Sequence, residues 1–281
     1  MSAANEQAEF MKGLAEALNS KEIALPSFPD VVVKIRTALE DPTCSADRLA
    51  DVAKTDPVLV SRLLRSVNSA FHNRAGIEIV DLGLAISRLG FETVRNTAIT
   101  LAVEQIFDAS QHASLTDKLR QLWQKSVNLS AMCYVLAQRS ANLSSDNAFL
   151  CGLLNEVGKL YILMKASDFP AFLGDDDSLE KVMTDWSPSV GKSIVEAWGF
   201  PDEISATLDA TEAESGPANA EPVMTDVVTA ARILTVDADS ALADGATVIS
   251  MTRLGISADN WSEIAEPYEM YVQSMRQSLS G

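Results

Sequence analysis

The sequence predicts an all-α fold, and three observations carry that prediction. Apolar residues recur at spacings of three and four along most of the chain, the stripe of an amphipathic helix. Proline, glycine and small capping residues interrupt those stripes at short intervals. Ile77-Glu78-Ile79-Val80 is the one stretch that reads as a strand, and it is too isolated to build a sheet.

The elements follow in order. From Glu6 to Asn19, Phe10, Leu14 and Leu18 form an i, i+4 stripe that suits an arm packed on the body; a frayed terminus is the alternative. Pro29 then suits a first helical position, and Val32, Ile35 and Leu39 give a buried stripe that ends at Asp41-Pro42. Ser45 caps the next helix, with Leu49, Val52 and Ala53 inward, and Asp56-Pro57 opens another. In that helix Leu59, Leu63 and Val67 share one side, while Arg62, Arg65 and Ser69 fall on a different face that would turn outward or line a groove. A short helix from Asp81 ends at Gly90, a residue suited to a left-handed terminus, and Glu92 to Phe107 succeeds it.

A long helix is predicted from Thr116 to Leu143, with Leu119, Leu122, Trp123, Ser126, Leu129, Cys133, Leu136 and Ala137 on one seam. Further helices are expected near Asn147 to Lys165, Pro188 to Trp198, Asp202 to Ala213, Pro222 to Val236 and Asn260 to Leu279. The turn Asp175-Asp176-Asp177 and the loop Glu214-Ser215-Gly216-Pro217 separate some of them. No period of a repeat array recurs.

The 281 residues suffice for one large core or two smaller ones, and 47% apolar with 22% charged residues is an ordinary globular balance. No apolar run approaches the ~20 residues that cross a bilayer, and the first residues lack a secretory pattern, so a soluble cytoplasmic protein with no membrane partner is expected. Cys44, Cys133 and Cys151 lack a Cys-x-x-Cys spacing and read as reduced, semi-buried thiols. The net charge of −17 disfavours general nucleic-acid binding. Residues 108–281 hold 25 acidic against 11 basic side chains, whereas residues 25–107 hold 10 against 9 and include Arg62, Arg65, Arg74, Arg88 and Arg95. An anionic partner would therefore dock on the middle segment.

Six blocks, LPSFPDVVVKI, DPVLVSRLLRSVNSAF, AISRLGFETVRNTAI, LWQKSVNLSAMCYVLA, NAFLCGLLNEVGKL and SIVEAWGFPDEI, in this order and at these separations, resemble the HDOD family, the HD-related output domains, from Leu25 over nearly all of the chain. The resemblance implies a helical bundle of two subdomains, the second similar to the HD phosphohydrolase core. On it we expect an arm over 1–24, an N-terminal subdomain over 25–110 and an HD-like subdomain over 111–281. It also implies a signalling or regulatory role.

HD hydrolases hold a divalent metal through a His, a His-Asp pair and a distant Asp, because phosphoester cleavage needs an activated water and offset charge. By the resemblance, Lys125 stands at the first His, Asn155-Glu156 at the His-Asp pair, and Ser187 and Thr211-Glu212 where relatives often carry histidines. Ala231-Arg232 stand where an Ala-Asp step would give the last ligand. An ammonium repels a cation and an amide is a weak ligand, so no metal, no cofactor and no catalytic residue are expected. In this vestigial pocket, Lys125 pairing with Glu156 across two helices would replace the metal's charge; the alternative leaves both solvated at the rim. His72 and His112 lie outside the blocks, and no nucleophile elbow or phosphate loop occurs. Trp123, Trp186, Trp198 and Trp261 read as core anchors.

The expected function is a non-catalytic module that binds signalling or regulatory proteins, with Arg62, Arg65, Asn68 and Arg95 as a candidate groove. One alternative is a sensor of an anionic nucleotide or other small ligand in the vestigial pocket or between subdomains. Another is a nucleic-acid regulator, which the net charge opposes. For the arginines themselves the plain alternative is a solvated face with ion pairs to Asp51, Asp56 or Glu92.

Overall fold

A computed structural model of the chain describes residues 2–20, 29–107, 115–209, 216–243 and 248–279. It is all-helical, with no strand among the described residues. The chain divides into two compact units, one of residues 1–25 and 107–258, the other of residues 26–106 and 259–281. This division differs from the expected boundaries at both termini: the arm belongs to the HD-like unit, and the last helix to the other.

The smaller unit holds α2 (Asp30–Leu39), α3 (Ala46–Ala53), α4 (Pro57–Val67), α5 (Leu82–Leu89), α6 (Phe91–Phe107) and α15 (Ser262–Leu279). Local chemistry sets most of its boundaries. Ser45 accepts a hydrogen bond from the Arg48 amide, Asp56 from those of Val58 and Leu59, and Asp81 from that of Leu84. Each satisfies a donor that the helix start leaves open. Gly90 closes α5 at φ 82°, a conformation that disfavours a Cβ. Ile35, Leu49, Leu59, Leu63, Ile86 and Val94 make the core. α15 packs on α4, where Ser274 donates to Ser69 at 2.8 Å and Tyr271 lies 4.8 Å from Phe71.

The larger unit opens with α1 (Ala3–Ser20) and continues through α7 (Thr116–Ala137), α8 (Ser145–Leu154), α9 (Val157–Ala166), α10 (Pro170–Leu173), α11 (Asp176–Ala197), α12 (Asp202–Ser205), α13 (Met224–Ala241) and α14 (Ile249–Arg253). α1 packs on α10: Phe10 meets Phe169 and Phe172, and Glu6 accepts from the Ala171 and Phe172 amides at 2.8 and 3.1 Å. α7 and α8 form the tightest hairpin, because Gly152 lets α8 rest on the α7 backbone. A Cβ there would stand 2.6 Å from Ser130 Cα.

Several expected helices have other limits. The one predicted to Leu143 stops at Ala137, the one predicted over Asn147 to Lys165 breaks at Asn155-Glu156, and the one predicted from Pro188 begins twelve residues sooner, at Asp176. Asp175 caps that last helix by accepting from the Ser178 amide, so the acidic triplet opens a helix rather than separating two. The run Ile77 to Val80 is neither helix nor turn and pairs with no strand among the described residues.

Candidate functional site

Gly152 of α8 rests on Ser130 of α7, and Glu156 follows four residues on, past the end of α8. Ser126 is fully buried and its hydroxyl has no hydrogen-bond partner. Glu156 is 7% exposed and begins α9 as its N-cap. Its Oε2 lies 2.9 Å from Lys159 Nζ, an ion pair, but no donor is aligned on that oxygen as a hydrogen bond. Two residues on, Gly158 brings α9 against α11: a Cβ there would stand 2.1 Å from the Ser187 carbonyl oxygen and 2.9 Å from the Gly191 amide nitrogen. Ser187 is buried at this crossing.

Of the vestigial-pocket residues, Ser187 lies against Gly158, itself two residues beyond Glu156, and Asn155 caps the end of α8, half-buried, its backbone amide donating to the Gly152 carbonyl. Lys125 is exposed, and the ammonium on Glu156 is that of Lys159, so the Lys125–Glu156 pairing is corrected. The spacing of three residues from Glu156 to Lys159 within one helical start is the local signal that would have found it. Thr211, Glu212 and His112 lie outside the described residues. Ala231 is buried, and Arg232 is exposed beside a shallow concavity with Ile233, Val236 and Asp237 along α13.

The arginine groove does not form as expected. Arg62 is buried rather than outward, and its Nη2 donates to Glu104 while Nε and Nη1 have no partner. Its face is covered because α15 packs on α4 and α6 brings Glu104 to it. Arg65 lies back on its own helix with Nη2 donating to Ser61 Oγ at 3.1 Å, and Arg95 pairs with Glu92 at 2.6 Å. Asn68 is structural: its Nδ2 donates to the Leu64 and Ile79 carbonyls, and its Oδ1 accepts from the Ile79 amide. His72 is partly buried, and desolvation lowers its pKa.

The sequence reading also missed a buried ion pair. Arg253 Nη1 lies 2.7 Å from Asp226 Oδ1, both buried, while the Val223 amide donates to Asp226 Oδ2 and Arg253 Nε to the Pro217 carbonyl. The pair ties α14 to the first turn of α13, across 27 residues, a separation that carries no local signal.

The described residues define an all-helical protein. The HDOD domain matches residues 25–214, and the chain belongs to that family. Among solved structures it is similar to a protein from Shewanella amazonensis provisionally named a metal-dependent phosphohydrolase, with a TM-score of 0.78, 19% identity, and coverage of 96% of this chain and 99% of that one. It is also similar to a protein from Marinobacter aquaeolei provisionally named a signal transduction protein, with a TM-score of 0.66, 22% identity, and coverage of 99% and 69%. An uncharacterized protein of Treponema pallidum is 23% identical over 208 residues, 69% of this chain. The chain spans 39% of the length of that curated relative.

The described residues at these positions do not fit the divalent metal of the HD centre. Glu156, the one carboxylate among the described replacements, is already held by an ammonium, and Asn155 is a neutral, weak ligand. Among the described residues no group of three His, Cys, Asp or Glu gathers to hold a metal. No helix among them is long and apolar enough to cross a membrane.

Proposed function

We propose that this chain is a regulatory module that performs no phosphoester hydrolysis and acts by binding other proteins. The observation that carries the reading is the Glu156–Lys159 pair. Where the HD centre would place a ligand beside a metal ion, this chain supplies its own cation at 2.9 Å. Hydrolysis in such a centre needs a metal to activate water, and an ammonium beside the carboxylate opposes a second cation. The name carried by the Marinobacter structure supports a signalling role for the shared fold. The arginines speak against nucleic acid, since Arg62 is buried on Glu104 and Arg95 is paired with Glu92.

The test uses the purified full chain. After incubation with manganese or magnesium and desalting, retained metal is measured by mass spectrometry, and hydrolysis of a chromogenic phosphodiester is followed. We expect neither metal at stoichiometric level nor turnover above a heat-killed control. Affinity capture from native cells should return the same proteins reproducibly. Stoichiometric metal with turnover, or no reproducible protein partner, overturns the reading.

A second reading has one observation behind it. The Ser126 hydroxyl is buried and unpartnered, and no donor is aligned on Glu156 Oε2, which together suit a small neutral polar ligand better than an anionic nucleotide. A thermal-shift screen of small polar metabolites, repeated on Ser126→Ala, tests it: a stabilising hit lost in the variant supports the sensor.

A further inference from the structure

Between α4 and α5 the chain runs from Ile77 to Val80 without helical or turn bonding. One side of this run is held as if by a neighbouring strand. Asn68 Nδ2 donates to the Ile79 carbonyl at 2.8 Å, Asn68 Oδ1 accepts from the Ile79 amide at 2.8 Å, and Asn73 Nδ2 donates to the Ile77 carbonyl at 2.7 Å. A side-chain amide offers the donor and acceptor of a peptide group, so Asn68 makes with Ile79 the two-bond exchange of a paired strand residue.

In extended backbone alternate residues present their N–H and C=O groups to opposite sides. Bonds at Ile77 and Ile79 therefore leave those of Glu78 and Val80 to the other side. The backbone groups of Glu78 and Val80 make no hydrogen bond to any described residue. Ile77 is 70% exposed, Val80 75% and Leu84, in the first turn of α5, 45%. Four backbone groups without partners beside exposed apolar side chains are the features of a sheet edge open to strand addition.

We infer that Ile77–Val80 is a docking edge on which an extended segment of a partner protein adds as a strand, its apolar residues alternating with basic ones. The charge at the α5 end selects the basic residues. Glu78 lies in the edge and Asp81 follows it, and a side chain at Gly83 would meet Asp47 Oδ1 at 3.0 Å and Asp81 Oδ1 at 3.4 Å, which puts both carboxylates at the start of α5. The nearby Lys54 is taken by Asp51 at 2.8 Å, and Arg74 stands at the opposite end of the run. An acidic partner would be repelled at the α5 end, so charge complementarity selects a basic segment.

The inference rests on the reading that the chain acts through protein contacts, and its test separates the two. The probe is a synthetic peptide of alternating valine and lysine, compared with its glutamate counterpart and with a backbone N-methylated version, added to the 15N-labelled full chain. The lysine peptide should slow amide exchange at Glu78 and Val80 and bind at least about tenfold more tightly than the glutamate peptide. The N-methylated peptide should lose the protection with the wild-type chain, which keeps the result independent of any variant's folding. Val80→Pro, which removes a donor unused among the described residues, should abolish binding with unchanged helicity.

Unprotected Glu78 and Val80 amides at millimolar peptide, or equal binding by V80P, overturn the edge. Protection that rises with protein concentration alone means that a second copy occupies it, and also overturns the proposal. If V80P still captures the same partners from cells, the edge fails while the regulatory module stands.

Discussion

Gly158→Ala tests the crossing that positions Glu156. The added Cβ would stand 2.1 Å from the Ser187 carbonyl oxygen and 2.9 Å from both the Ser187 carbonyl carbon and the Gly191 nitrogen, all of them backbone atoms. No rotamer change relieves that contact, so α9 and α11 must part by about an ångström, which forfeits part of the dispersion contact around it. Val157, Leu160, Val190, Ile194 and Val195 are all buried on these two helices, so the separation is felt in the core. Overpacking costs about 1–3 kcal/mol and occasionally more, and alanine returns at most about 1 kcal/mol of helix propensity. For contact with fixed backbone on both sides the upper part of the range applies, and after the propensity gain a net loss of about 1–2 kcal/mol remains. That corresponds to a Tm lower by about 2–8 °C for a body of this size. Thermal and urea unfolding followed by circular dichroism read it, with Gly13→Ala as control. Gly13 lies in exposed helix with no atom within 4 Å of an added Cβ, and the same substitution there should stabilise α1 by about 0.5–1 kcal/mol. A Gly158→Ala protein with unchanged or raised Tm would refute the close-crossing argument.

Asp226→Asn should cost about 3–5 kcal/mol, because it leaves the buried Arg253 guanidinium without its counter-charge; unfolding curves of D226N and of the double variant D226N/R253M measure it, and the double variant should recover part of the loss. Burial pushes the Cys133 thiol up and the Cys151 thiol up to about 12, so alkylation at pH 8 should label Cys44 quickly and the other two only in denaturant, counted by mass spectrometry. Hydrogen bonds from the Thr43 hydroxyl and amide, then from Arg48, lower the Asp41 carboxyl to about 2. Because its folded pKa lies below the unfolded value, the contribution of Asp41 is present above about pH 4 and is lost as pH falls toward 2; a carboxyl NMR titration should show the low midpoint, and Thr43→Val should raise it.

Helix starts were legible where one residue decides them. Ser45, Asp56 and Asp81 each cap with their own side chain, and Gly90 takes the left-handed turn, so the punctuation of the smaller unit could be read locally. Pro188 misled for a related reason: it reads as a start, yet here it sits inside α11, whose actual start is the cap at Asp175. The membership of the terminal helices was hidden because α1 and α15 reach their partners through contacts far apart in sequence, such as Glu6 with Ala171 and Ser274 with Ser69.

The candidate site shows the same limit more sharply. Helical spacing put Arg62 outside the Leu59–Leu63–Val67 stripe, yet it is buried with those three residues, because a second face of a helix is exposed only if nothing packs on it. α15 does pack on α4, and Glu104, 42 residues away, meets the guanidinium there. The resemblance located Glu156 and assigned its counter-charge to Lys125, at the position of a lost ligand. A buried carboxylate takes whichever cation reaches it with least loss of side-chain freedom, and Lys159 is one turn along the same helix. The resemblance therefore says where the charge problem lies, while local helix geometry decides how it is solved.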